Sequence, residues 1–114
     1  MVLHLPWPPS VNTYYRTVNG RALLSKKGRE YKKDVCLLAR HNRWTKHLSG
    51  RLSVRVVLHP PTKARRDVDN SIKALLDAMQ AAGVYLDDSQ VDLLVVERGQ
   101  VKRPGMAIVE ITER

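Results

Sequence analysis

The sequence predicts an α/β fold of the α+β sandwich kind: a mixed β-sheet with two main helices on one face, in the order β-α-β-α-β-β. Three observations predict it. Residues 52–58 (L-S-V-R-V-V-L) alternate in the period-2 pattern of a half-buried strand. Two stretches, starting near Ser25 and Val68, repeat apolar residues at helical spacing. Two further β-rich runs, Val91–Arg98 and Met106–Thr112, close the chain. At 114 residues the chain is expected to fold as one domain, residues 1–114, near the small end of independently stable folds.

Taken in order, Val2–Leu5 makes a short strand that Pro6-Trp7-Pro8-Pro9 ends, since proline cannot continue a ladder. Ser10–Arg16 is polar and aromatic and reads as a loop, followed by the turn signal Asn19-Gly20. Ser25 is an N-cap for the first main helix. Its inner stripe is Tyr31, Val35, Leu38, Ala39 and Asn42, and its outer face is strongly basic. His41–Gly50 reads as a helix end and loop, and His41 and His47 have no acid or cysteine at zinc-ligand spacing. In the strand that follows, Leu52, Val54, Val56 and Leu58 point inward, and His59-Pro60-Pro61 stops it. The second helix carries Val68, Ile72, Leu75, Leu76 and Met79 on one face, with Gly83 as its stop. The last two strands are expected to pair as a C-terminal hairpin.

Composition narrows the function classes. The apolar fraction of 43% is that of a globular protein, and with no Phe the core must be built from Val, Leu, Ile and Ala. A single cysteine, Cys36, excludes an internal disulfide and any Cys-rich zinc site; among apolar neighbours it reads as an inert thiol. The N-terminus lacks the basic region of a signal peptide, and no apolar run approaches the ~20 residues of a membrane span. A soluble, cytoplasmic protein with no membrane association is the expectation.

The net charge is +9 and unevenly spread. Residues 1–66 hold fifteen Lys/Arg and two acids, whereas residues 67–114 hold five Lys/Arg and nine acids. Such a field attracts polyanions, of which nucleic acid is the commonest. Lys26, Lys27, Lys32 and Lys33 on the first helix suit phosphate contacts that position without reading sequence. Tyr14, Tyr15 and Arg16 can stack on or bond an unpaired nucleotide, or simply pack a loop; Trp7 reads more simply as a core plug beside its prolines.

The chemistry concentrates in Lys63–Gln90. Asp67 and Asp69 stand at a helix start, with Asp69 near its N-cap; Lys73 lies one turn after Asp69, and Asp87 and Asp88 follow the helix. A helix of about 13 residues is ~20 Å long. The extended residues after Gly83 can return ~13–18 Å, so the second pair of acids can approach the first. Gathered carboxylates repel one another, and a hard divalent ion such as Mg²⁺ or Mn²⁺ removes that conflict. It can also activate water and stabilise a departing 3′-oxygen, with Lys73 balancing the charge that builds on phosphate. Each residue alone has a structural alternative: Asp69 a helix cap, Asp67 a partner for Arg65, Asp87-Asp88 a solvated turn, Lys73 a surface lysine. A non-catalytic nucleic-acid binder and a nuclease of broader branched-DNA specificity both stay open.

Three blocks resemble the RusA-type Holliday junction resolvases, small endodeoxyribonucleases common in phages and prophages. They are L-P-W-P-P-S-V-N-T-Y-Y-R (Leu5–Arg16), R-D-V-D-N-S-I-K (Arg66–Lys73) and G-V-Y-L-D-D-S-Q-V (Gly83–Val91), in the family's order and separation. The resemblance implies that Asp67, Asp69 and Asp88 bind metal, with Asp87 as the adjacent supporting carboxylate and Lys73 as the catalytic lysine. It implies Mg²⁺-dependent paired nicks in a four-way junction held by a homodimer. Lys63, Arg65, Arg66 and Asn70 then join the DNA-contacting set, on a basic lead-in that is short for the family.

Overall fold

The computed structural model describes all residues 1–114. Its main sheet has four strands: β1 (Val2–Pro6), β4 (Leu52–His59), β5 (Val91–Arg98) and β6 (Met106–Glu113), in the spatial order β1-β6-β4-β5. β6 runs antiparallel to β1 and β4, and β5 runs parallel to β4. The expected mixed sheet is present, but the expected C-terminal hairpin is not. β4 lies between β5 and β6, and the helix α3 (Ile72–Ala81) makes the crossover that a parallel β4–β5 pair requires.

The alternation in β4 has the expected sense. Leu52, Val54, Val56 and Leu58 are buried, and their neighbours Ala107, Val109 and Ile111 on β6 and Leu3 and Leu5 on β1 share that face. Onto it pack α2 (Lys26–His41), through Tyr31, Val35 and Ala39, and α3, through Ile72, Leu75, Ala78 and Met79. Asn42, expected on the inner stripe of α2, is instead its exposed C-cap, with its side chain donating to the Leu38 carbonyl.

Residues 10–24 are more ordered than a loop. Ser10 caps a one-turn helix α1 (Val11–Tyr14), and β2 (Tyr15–Val18) pairs with β3 (Arg21–Leu24) as a hairpin. Asn19 and Gly20 both take positive φ, 52° and 75°, the mirror-image turn that suits the twist of a two-residue hairpin. Asn-Gly marked the turn; strands of four residues, largely exposed, carry too little apolar alternation to be read from sequence.

Ser25 caps α2 as expected, its oxygen accepting from the Gly28 N–H at 2.9 Å. The same turn docks against α1, where the Ser25 N–H donates to the Tyr14 carbonyl. A Cβ on Gly28 would overlap that carbonyl oxygen, which belongs to backbone and cannot swing away. Gly28→Ala is therefore expected to lower stability by about 1–2 kcal/mol in urea unfolding. The backbone clash outweighs the ~1 kcal/mol that alanine offers a helix. Gly50→Ala, with nothing within 4 Å, should change it by less than ~0.5 kcal/mol.

Candidate active site

Asp67 and Asp69 do not start the α-helix itself. They belong to a turn of 3-10 helix, Val68–Ser71, that precedes α3, and Asp67 is its N-cap residue. The Asp67 side chain makes no capping bond, and both carboxylates are exposed. Neither forms an ion pair; those of the chain are Lys32–Asp77, Arg51–Asp92 and Lys73–Asp88. The capping role for Asp69 and the Arg65 bridge for Asp67 are thus both absent, which leaves two free carboxylates two residues apart.

The second acidic pair is carried back along α3. Gly83, at φ 74°, reverses the chain, and Val84 and Tyr85 are fully buried. The reversal is pinned on one side by Leu48, which bonds with Val84 and Leu86 as a short parallel bridge. On the other side the Tyr85 hydroxyl donates to the Leu76 carbonyl of α3 at 2.6 Å. Burial pushes the Tyr85 phenol well above its ordinary value, and the nearby Asp88, Asp77 and Asp87 carboxylates add to the shift.

Two glutamines then set the acids. The buried Gln90 amide is fully used: its oxygen accepts from the Leu86 and Asp87 N–H groups at 3.0 and 2.8 Å. Its nitrogen donates to the Leu48 and Gly50 carbonyls at 2.9 and 2.8 Å. Gln80 of α3 accepts from the Asp88 N–H at 2.9 Å. Asp88 ends half-buried, its Oδ2 3.8 Å from Lys73 Nζ. Asp87 caps the next turn, Asp88–Gln90, by accepting from the Ser89 N–H at 2.8 Å. That backbone bond holds the Asp87 carboxyl below the usual carboxylate range. As the side chains stand, no three His, Cys, Asp or Glu side chains form a metal-holding group. What has been brought together is Asp88 with Lys73, one turn beyond Asp69.

The expected DNA contacts divide. Tyr14 leaves the set: it is fully buried and its hydroxyl donates to Asp77 of α3. Tyr15 is half-buried, edge-on to Tyr14 at 5.0 Å, while Arg16 is exposed on the hairpin. Lys26, Lys27 and Lys33 project from α2 into solvent, but Lys32 lies 3.5 Å from Asp77. Lys63 and Arg65 are exposed, and Asn70 is half-buried on the 3-10 turn. Arg66 is a staple of its own loop, donating to Thr62 and Ala64 oxygens and lying 5.8 Å from the Trp7 ring centre. Gln80 and Gln90 were not singled out by sequence. A buried amide among turn residues was the available signal, but its partners at Leu48 and Gly50 lie some 40 residues away.

The family description Endodeoxyribonuclease RusA matches residues 6–112, nearly the whole chain. The chain belongs to this family. A crossover junction endodeoxyribonuclease of Enterobacteria phage HK97 is 42% identical over 110 residues, covering 96% of this chain and 91% of the relative. The enzymes of that name from Escherichia coli K12 and from Enterobacteria phage 82 are each 38% identical over 109 residues, with the same coverage. The resemblance in the three blocks therefore extends along the whole RusA-family chain, and this fold is that of a family member.

Gln90→Ala would strip the Asp87 N–H and the Gly50 carbonyl of their partner and leave the Leu86 N–H and Leu48 carbonyl only each other. It is expected to lower stability by about 2 kcal/mol or more and to speed hydrogen exchange at the Leu86 and Asp87 amides above that of the sheet. Asp87 sets an acid limit. A carboxyl whose folded value is depressed adds stability that is complete above its unfolded value of about 3.9 and is lost as pH falls through the lower folded value. The Ser89 amide resonance should follow that acid step in the wild type and not in Asp87→Ala.

Proposed function

We propose that this RusA-family chain resolves Holliday junctions: a homodimer binds four-way or branched DNA and makes paired, symmetric nicks with Mg²⁺ as cofactor, Mn²⁺ substituting. The observation that supports it most directly is the 3.8 Å approach of Lys73 to Asp88. It brings Asp88 of the second acidic block to Lys73, which follows Asp67 and Asp69 of the first block along the chain. A non-catalytic binder has no use for an Asp88–Lys73 contact whose backbone is set by the Gln80 and Gln90 amides.

The donor chemistry fits a hard cation. Asp67 and Asp69 offer uncommitted carboxylates, and Mg²⁺ takes a few such oxygens with water and substrate phosphate as its remaining ligands. Asp67, Asp69 and Asp88 are the proposed ligands, with Asp87 supporting through its remaining oxygen. When bound, the ion supplies Lewis acidity that lowers the pKa of water and offsets charge on the phosphate. Lys73 in its charged form stabilises the negative charge that develops on the phosphate oxygens and the departing 3′-oxygen. Its contact with Asp88 is half-exposed, worth about 0–1 kcal/mol, so the lysine is free to turn from the carboxylate to the phosphate.

Lys63, Arg65, Asn70 and Arg16 with Lys26, Lys27 and Lys33 form the proposed phosphate-contacting set, and the half-buried Tyr15 stays in it through its exposed part. A two-fold junction asks for a two-fold protein, which a homodimer provides. The working compartment is the cytoplasm of a bacterial or phage-infected cell. No helix is long and apolar enough to cross a membrane.

Asp67→Asn and Asp88→Asn are expected to bind a four-way junction as tightly as wild type or tighter, because a negative charge is lost, and to abolish Mg²⁺-dependent cutting. Cutting at the wild-type rate by both variants would overturn the metal assignment. Lys73→Ala should slow cutting at saturating enzyme by about 10²-fold or more with junction affinity within a few-fold; a defect confined to affinity would contradict its role. Neutralising Lys26, Lys27, Lys32 and Lys33 together should weaken binding to all DNA alike. The logarithmic salt slope should also flatten by about 0.9 for each phosphate that is no longer neutralised. Lys32, paired with Asp77, should contribute least. Titration of duplex, flap and junction substrates measures how narrow the specificity is.

A further inference from the structure

Beside Asp67, with neither Lys73 nor Asp88 in its lining, the fold forms a cavity of about 280 Å³ that the proposed metal chemistry does not use. Its inner wall is Trp7, Leu58 and Val68, and its mouth is edged by Arg65, Arg98 and Val101. The placement follows from topology. β4 and β5 are parallel, so Leu58 and Arg98 finish side by side, and the crevice beyond the carboxyl ends of parallel strands is where open α/β sheets take ligands.

The wall is pre-formed. Arg66 is held by three hydrogen bonds to Thr62 and Ala64 oxygens, with its guanidinium 5.8 Å from the Trp7 ring centre. Arg98 in turn donates to the Arg66 carbonyl. Trp7 is half-buried: it plugs the core on one side and lines the cavity on the other. Apolar and aromatic lining, a cationic mouth and a neighbouring phosphate-handling carboxylate are together the recognition chemistry of a nucleotide: its base inside, its phosphate at the rim.

We propose that this cavity receives one unpaired nucleobase of the DNA substrate, next to the phosphate that is cut. The inference rests on the nuclease reading and adds to it a source of structure selectivity. A continuous duplex must unstack and unpair a base to fill the cavity, whereas a branch point offers one at much lower cost. Cutting is thereby coupled to branching through a pocket rather than through groove contacts.

The test uses two pocket variants, Val101→Trp, which fills the mouth from an exposed position away from the carboxylates, and Trp7→Leu, which stays apolar and removes the aromatic face. Urea midpoints establish that each is folded. Affinity without divalent metal and cutting with Mg²⁺ are measured on a linear duplex, an intact four-way junction, and junctions carrying one abasic site at each position around the branch. Wild type should lose about tenfold in affinity (~1.4 kcal/mol) at one abasic position and little at the others. Val101→Trp should lose the same factor on the intact junction and nothing further on the abasic one. Wild-type affinity that is indifferent to every abasic site overturns the pocket. Equal losses by Val101→Trp on intact and abasic junctions also overturn it. If wild type cuts the junction and both variants match it on every substrate, the pocket fails and the nuclease reading stands. If wild type neither prefers nor cuts the junction, both fail.

Discussion

Two glutamine amides hold the chain that carries Asp88, and the contact of Asp88 with Lys73 depends on them. Gln90 ties the return segment to Leu48 and Gly50, and Gln80 ties the Asp88 backbone to α3. Val84 and Tyr85 are buried in any case, but without those bonds the exposed Asp87 and the half-buried Asp88 would lose the ties that set their backbone. The Gln90 amide, buried and bonded through both its oxygen and its nitrogen, is stiff and costly to disturb, so electrostatic repulsion is opposed by geometry set elsewhere. The approach of Lys73 relieves part of it.

The sheet supplies the frame for this arrangement. β4 is central, buried along its inner face, and carries a partner on each edge: β6 antiparallel and β5 parallel. The parallel partner is what makes α3 a crossover, and a crossover helix begins at one end of the strands and returns to the other. Asp67 and Asp69 thereby follow the carboxyl end of β4 and Asp88 precedes the amino end of β5, and it is the reversal at Gly83 that brings Asp88 to Lys73. A C-terminal hairpin would have left β4 without its parallel neighbour. The same topology opens the Trp7 cavity at the carboxyl ends, adjacent to Asp67.

The basic half of the chain is not one uniform field. Lys32 is paired with Asp77, Arg66 staples its own loop, and Arg51 is bound to Asp92. Others remain in solvent, among them Arg16 on the hairpin, Lys26, Lys27 and Lys33 on α2, and Lys63 and Arg65 before Asp67. Tyr14 shows the same sorting among aromatics: beside Tyr15 in sequence, it is a core residue whose hydroxyl reaches Asp77, while Tyr15 keeps part of its surface.

Much was legible in the amino-acid order because it is local. The alternation of Leu52–Leu58, the stripe Tyr31-Val35-Ala39, the Ser25 cap and the Gly83 stop depend on near neighbours, and all four occur. The acids of Lys63–Gln90 and Lys73 were visible as a dense group of charges against a basic background. Non-local pairing was not legible. Strand propensity does not name a partner, so β5 and β6 could be recognised as strands but not as the two flanks of β4. Four-residue strands around Asn19-Gly20 were too short and exposed to register. The acidic stretch Lys63–Gln90, then, was determined by sequence as a set of charged residues close together along the chain. That Asp88 meets Lys73 was decided by tertiary structure, through Leu48, Gln80 and Gln90, whose bonds exist only once distant segments are packed together.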